Sequence, residues 1–215
     1  ISGSMNETRL AAGKTAVNDL AKELLSKNTP ANPDSVQMAL VTFSTTATTN
    51  ISKTTSYTNF SRAVDGLRAD GGTNWEDALQ KVENISFGDN DPTYVIFCSD
   101  GNPTFRNTRG DYWYWDIDIN DDYYDQYGVY GTGYENDTSV ERCYNHARDN
   151  ARALVNKGKR LYTIGVFGNV DRMKSLTNYA YTGSDTGIPD DTYYYAASDS
   201  AALKKALKAI LQEIE

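Results

Sequence analysis

One histidine, His146, and two cysteines, Cys98 and Cys143, are all that 215 residues offer to a soft or borderline metal. Neither cysteine lies in a C-x-x-C pair, so a structural zinc site lacks its ligands. Positive charge is short as well: 21 Lys and Arg against 29 Asp and Glu leave a net charge of −8. A surface of that sign repels phosphate backbones and argues against nucleic acid as a partner. No apolar run approaches the ~20 residues that cross a bilayer, so membrane insertion is not expected. A Gly-x-Ser-x-Gly elbow is missing, which leaves a hydrolase with Ser4 as nucleophile without its frame. His146 sits in a helix-forming stretch with no serine or cysteine partner legible beside it. An enzyme is therefore not expected.

What is present is an alternation of apolar strands and amphipathic helices. Leu10, Val17, Leu20, Leu24 and Leu25 recur at helical spacing over residues 8–27. A mostly apolar strand spans 35–43, and a Thr-rich edge strand follows at 45–52. Short helices are expected over 59–67 and 74–82, the second with Thr73 as its cap and Glu76 completing a capping box. Residues 94–98 and 161–167 read as strands covered on both faces. Helices are expected over 140–154, 170–180 and 200–215, with a last strand at 192–197. This rhythm predicts one α/β domain over 1–215, doubly wound, with a mostly parallel sheet and helices on both faces. Ligands of such sheets sit beyond the carboxyl ends of the strands.

Three short segments fall at those ends or at helix starts: Ser2-Gly3-Ser4, Gly71-Gly72-Thr73-Asn74 and Ser99-Asp100-Gly101-Asn102-Pro103. Ser2, Ser4, Thr73 and Asp100 offer three neutral hydroxyls and one carboxylate, all hard oxygen donors suited to a small divalent cation. Gly3, Gly71, Gly72 and Gly101 allow close backbone approach.

In order and spacing, these segments resemble the metal-ion-dependent adhesion site of the von Willebrand factor A domain, Asp-x-Ser-x-Ser followed by a distant Thr and a distant Asp. The resemblance implies a Rossmann-like, six-stranded sheet. It also implies a magnesium or manganese ion, with calcium as the alternative, held by Ser2, Ser4, Thr73 and Asp100. An open coordination position would accept an Asp or Glu carboxylate of a partner protein. The family's first Asp would stand immediately before Ile1, led in by a central strand. We expect both to lie upstream, and we expect poor metal binding and poor folding without them. The motifs are most similar to A domains of Gram-positive surface and pilus-tip adhesins. That implies an extracellular, cell-wall-linked parent with flanking domains, binding a host or matrix protein and contributing to virulence. In some relatives the last helix shifts on binding. A second reading is an intracellular A domain that scaffolds a metal-dependent assembly.

An insertion at about 104–138 breaks the α/β rhythm, and a connection that long is usually functional. Its Tyr112, Trp113, Tyr114 and Trp115, with further tyrosines at 123, 124, 127, 130 and 134, form either a recognition surface beside the metal or a loop packed on the domain's own flank. Asp116, Asp118 and Asn120 copy the start of an EF-hand loop, but Asp121 and Tyr127 stand where Gly and Glu are needed. Calcium binding at Asp116, Asp118, Asp121, Asp122 and Asp125 is the residual expectation there. Arg109-Gly110-Asp111 matches an integrin-recognised tripeptide, a weak signal at three residues. Asn6, Asn50, Asn59, Asn84 and Asn136 open glycosylation sequons. A glycan on Asn6 would crowd the metal, which favours a bacterial source. Cys98 and Cys143 are either a disulfide, closing a loop of about 45 residues and adding roughly 3–4 kcal/mol, or two buried thiols.

Overall fold

The structure, a computed structural model, describes residues 5–88, 92–108, 123–124, 128–135, 137–168 and 170–214. Ser2, Ser4, Arg109 to Asp122, among them Tyr112, Trp113, Tyr114 and Trp115, and Asp125 to Tyr127 lie outside these residues.

The expected helices form α1 (Glu7–Leu25), α2 (Tyr57–Asp65), α3 (Trp75–Glu83), α4 (Asp137–Asn156), α5 (Asp171–Thr182) and α6 (Ser200–Ile214). The strands are β1 (Met38–Phe43), β2 (Ala47–Thr54), β3 (Tyr94–Ser99), β4 (Phe105–Arg106), β5 (Tyr123–Tyr124), β6 (Tyr130–Gly131), β7 (Arg160–Val166) and β8 (Tyr194–Ala197). β3, β7 and β8 form a parallel sheet in the order β3-β7-β8. β1 and β2 form a separate antiparallel pair. The described part of the insertion folds into a small antiparallel sheet of order β4-β6-β5, an element that its turn-rich composition did not announce.

β7 shows why the parallel sheet needs apolar residues on both faces. Its Leu161 packs with Ala147, Ala151 and Leu154 of α4 and Met173 and Leu176 of α5. Tyr162, Ile164 and Val166 point the other way, onto Leu20 and Leu24 of α1 and Leu207 and Ile210 of α6. Helices thus cover both faces of the sheet.

Among the described residues, β1 pairs only with β2 and β3 only with β7. The space separating the two strands is a cleft of about 730 Å³, lined by Met38, Leu40, Phe43, Tyr94, Ile96 and Cys98 among others.

Both cysteines are free thiols, so the disulfide reading is corrected. The reason is topological. Cys98, on β3, packs with the layer of α1 and α6, while Cys143 is on α4, close enough to Arg106 to contact its guanidinium. Burial pushes Cys98 from 9.0 up to about 12. It pushes Cys143 up to about 11, partly opposed by Arg106. A thiol whose folded value is raised adds stability that is complete below its unfolded value and lost as pH rises through the folded one. Urea-unfolding free energy is therefore expected to fall between pH 9 and about 11–12. A flat profile across that window would contradict the burial of these thiols.

Candidate functional site

α3 begins one residue later than the sequence suggests. Asn74 is its N-cap, accepting from Asp77 N at 3.0 Å. Asparagine outranks threonine at this position, and its amide has a second use that a hydroxyl lacks. Asn74 Nδ2 donates to Thr45 O and to Asn107 Oδ1, each at 3.0 Å. The expected capping box between Thr73 and Glu76 is thus replaced. Thr73 lies just ahead of the helix, 3% exposed.

Two chain segments are stitched together there. Thr73 N donates to Thr104 Oγ1 at 3.1 Å. Thr104 N and Phe105 N donate to Thr73 O at 2.8 and 3.0 Å. Trp75 Nε1 donates to Ser99 Oγ at 3.0 Å, and Ser99 Oγ in turn donates to Gly101 O at 2.8 Å. The approach depends on Gly72, where a Cβ would stand 2.3 Å from Phe105 Cε2. Thr73 and Asp100 are therefore brought to one rim, at the carboxyl end of β3. Asp100 is also buried, at 7% exposure.

The start of α1 reaches the same rim. Met5 and Asp100 both line the cleft. The Arg9 guanidinium lies 6.0 Å over the Phe167 ring. A Cβ at neighbouring Gly168 would stand 3.1 Å from Asp100 O. Of the four expected metal ligands, Thr73 and Asp100 lie on segments that are hydrogen-bonded to each other through Thr104, Phe105, Trp75 and Ser99, and Ser2 and Ser4 lie outside the described residues. Among the described residues no group of three or more His, Cys, Asp or Glu gathers. The donors that do gather at this rim are a hydroxyl and a carboxylate, which fit a hard divalent ion.

Sequence reasoning missed what holds the insertion against this rim. Glu76, 2% exposed, accepts from Asn107 N at 2.7 Å and Thr108 N at 3.1 Å. It also accepts from Gln80 Nε2 and the Thr108 hydroxyl. Asp77 accepts from Ala47 N at 2.6 Å and Asn107 Nδ2 at 3.0 Å. The return of the insertion is fastened too. Glu135 accepts from Asn102 N at 2.8 Å, and Asn102 Oδ1 accepts from Arg172 N at 3.2 Å. Acids in a first helical turn read as ordinary dipole partners, so no local signal separated these from solvated ones.

Against known proteins, the model of the von Willebrand factor type A domain family matches residues 1–102. No curated protein matches the chain. Among solved structures, the von Willebrand factor domain of the type V pili tip protein Mfa5 from Porphyromonas gingivalis superposes with a TM-score of 0.73 at 16% identity, covering 99% of this chain and 91% of that one. The PilB minor pilin from Streptococcus sanguinis gives 0.74 at 19% identity, covering 99% of this chain and 59% of that one. The pilus adhesin SpaC from Lactobacillus rhamnosus GG gives 0.65 at 17%, covering 99% of this chain and 28% of that one. The chain thus spans a little over half of PilB and under a third of SpaC. At these identities the likeness is one of fold, and the resemblance to A domains of pilus proteins stands on it and on the family match.

Proposed function

We propose that the chain is a von Willebrand factor A domain acting as a metal-dependent adhesion module of a larger cell-surface protein. The observation that carries this reading is the hydrogen bonding that ties the segment of Thr73 to that of Asp100 at the carboxyl end of a parallel strand, Thr73 O to Thr104 N and Trp75 Nε1 to Ser99 Oγ, with both oxygen donors buried. Together with Ser2 and Ser4 they are the side chains that would hold a magnesium or manganese ion. A bound divalent ion supplies a positive charge that an acidic side chain of another protein can ligate. The three solved structures named above are described as pilus proteins, which supports an extracellular setting, and two of them extend well beyond this chain. The aromatic run Tyr112, Trp113, Tyr114 and Trp115 is assigned the choice of ligand, since the insertion leaves and rejoins the domain beside Asp100.

The test is thermal unfolding in EDTA against 10 mM magnesium or manganese. It is run on the chain and on a form carrying Asp directly before Ile1. With Kd near ~1 mM, mass action adds about 1.4 kcal/mol, a rise of roughly 3–6 °C for a domain of this size. Thr73→Val keeps the shape of the side chain, removes its hydroxyl and should cancel most of that rise. If neither form responds to either ion, the reading falls. Binding to immobilised matrix proteins that persists unchanged in EDTA would overturn its adhesive half.

A further inference from the structure

We infer that the insertion sets the cation affinity of the rim from outside it, through two positioning residues: Asn107 holds the Thr73 turn and Glu135 holds the Asp100 turn. The inference rests on the adhesion reading and adds to it the residues that aim the two donors.

The first arm is Thr104 to Thr108. The N–H of Thr73 donates to the Thr104 hydroxyl, and its carbonyl accepts from the amides of Thr104 and Phe105. Asn107 extends the grip into the first turns of α3. Its Oδ1 accepts from Asn74 Nδ2, and its Nδ2 donates to Asp77 Oδ1 and Gln80 Oε1, each at 3.0 Å. Its N–H is bound by Glu76. Every polar group of the Asn107 side chain is thus committed to the helix that Thr73 precedes.

The second arm is Glu135. Its Oε1 accepts from Asn102 N at 2.8 Å and its Oε2 from Asn102 Nδ2 at 3.3 Å. Asn102 Oδ1 accepts from Arg172 N at 3.2 Å, so Asn102 is fixed between the insertion and α5. Asn102 stands two residues from Asp100, at most ~8 Å along the chain. Ser99 Oγ closes the same turn onto Gly101 O. Glu135 itself is exposed, and both of its bonds go to the turn that carries Asp100.

The two arms are one piece. β4 and β6 pair Phe105 with Gly131 and Arg106 with Tyr130. A Cβ at Gly131, where φ is 140°, would stand 2.1 Å from Thr104 O, so β6 lies flush on the first arm. Tyr134 N donates to Thr132 Oγ1 at 3.2 Å and closes the turn that presents Glu135. Shifting the Thr73 turn against the Asp100 turn therefore means breaking this clasp. Donors bind an ion tightly when they are held in place before it arrives, and losing a group that orients a ligand weakens binding by about 10–100-fold.

The test reads manganese binding by electron paramagnetic resonance of the free ion, on the chain and on the form carrying Asp directly before Ile1. We expect Glu135→Ala and Asn107→Ala each to weaken binding by at least about tenfold in whichever form takes the ion. Glu135→Gln keeps an acceptor for Asn102 N and should recover most of the loss. Tyr181→Phe is the structural control. It removes the hydroxyl that bonds the N–H and carbonyl of Leu161, at the amino end of β7. It should lower the melting temperature and leave the ion affinity where it was. In EDTA, with no metal present, Glu135→Ala should also speed amide exchange at Asn102. Because Glu135 is exposed, that variant folds whatever becomes of Asn107→Ala. A Glu135→Ala protein that binds manganese as its parent does overturns the inference. So does a Glu135→Gln loss equal to that of Glu135→Ala, which would make charge and not position the cause. So does a Tyr181→Phe protein that loses as much affinity, which would tie binding to global stability. A parent that binds no manganese in either form strikes the adhesion reading and this inference with it, whereas a parent that binds while the variants are unmoved strikes this inference alone.

Discussion

Glu76→Ala is expected to lower stability by about 2–4 kcal/mol and to erase amide protection at Asn107 and Thr108. Four donors converge on this carboxylate: the amides of Asn107 and Thr108, the Thr108 hydroxyl and the Gln80 amide. Truncation leaves them without their acceptor in a site where Glu76 itself is 2% exposed. A stranded buried donor costs roughly 1–3 kcal/mol, and water can reach only part of this set, since Thr108 is exposed. The change also removes a negative charge from a region containing the fully buried Arg106, because both groups act on the Cys143 thiol. Glu76→Gln keeps the length and one acceptor oxygen and should recover about half of the loss. Chemical denaturation gives the free energy, and hydrogen exchange locates it. A change under ~1 kcal/mol would mean that Asn107 and Thr108 are held by something other than α3.

That network shows which parts of the molecule a sequence can disclose. The elements were legible because each carries a periodic apolar pattern that burial demands. Leu161 to Val166 is buried at every position, and Leu203, Ala206, Leu207, Ile210 and Leu211 form one buried stripe. Thr73 and Asp100 stood out as candidate donors, because short hydroxyl and acid motifs at strand ends are few and their order matched a known pattern. Glu76 and Asp77 were not. Their partners lie about 30 residues away in a segment with no periodicity of its own. Only the tertiary contact distinguishes them from solvated acids. The cap of α3 failed for a related reason. Thr73 and Asn74 are both good caps, and the choice between them was decided by Thr45 and Asn107, which are remote in sequence.

Asp100→Asn is expected to abolish the response to magnesium and manganese while leaving metal-free stability unchanged or raised. The opposite signs are the point. Asp100 is 7% exposed at the carboxyl end of β3, and exchanging a buried carboxylate for an amide removes the cost of desolvating a charge there. A side chain retained for packing alone would lose stability when changed, as Glu76 should. One retained to meet a cation sits under stress until the cation arrives, so neutralising it relieves the apo protein and weakens the loaded one. The amide preserves shape and one oxygen but brings no charge. Ser2, Ser4 and Thr73 are neutral, so Asp100 is the one proposed ligand of the chain that opposes a doubly charged ion. Removal of even an outer partner of a metal ligand weakens binding by about 10–100-fold, and loss of the only charged ligand should reach at least the upper end of that range. Paired thermal melts in EDTA and in 10 mM manganese separate the two effects. An Asp100→Asn protein that is destabilised by several kcal/mol in EDTA, yet still gains from manganese as the parent chain does, would identify Asp100 as a structural residue and move the cation site elsewhere on the rim.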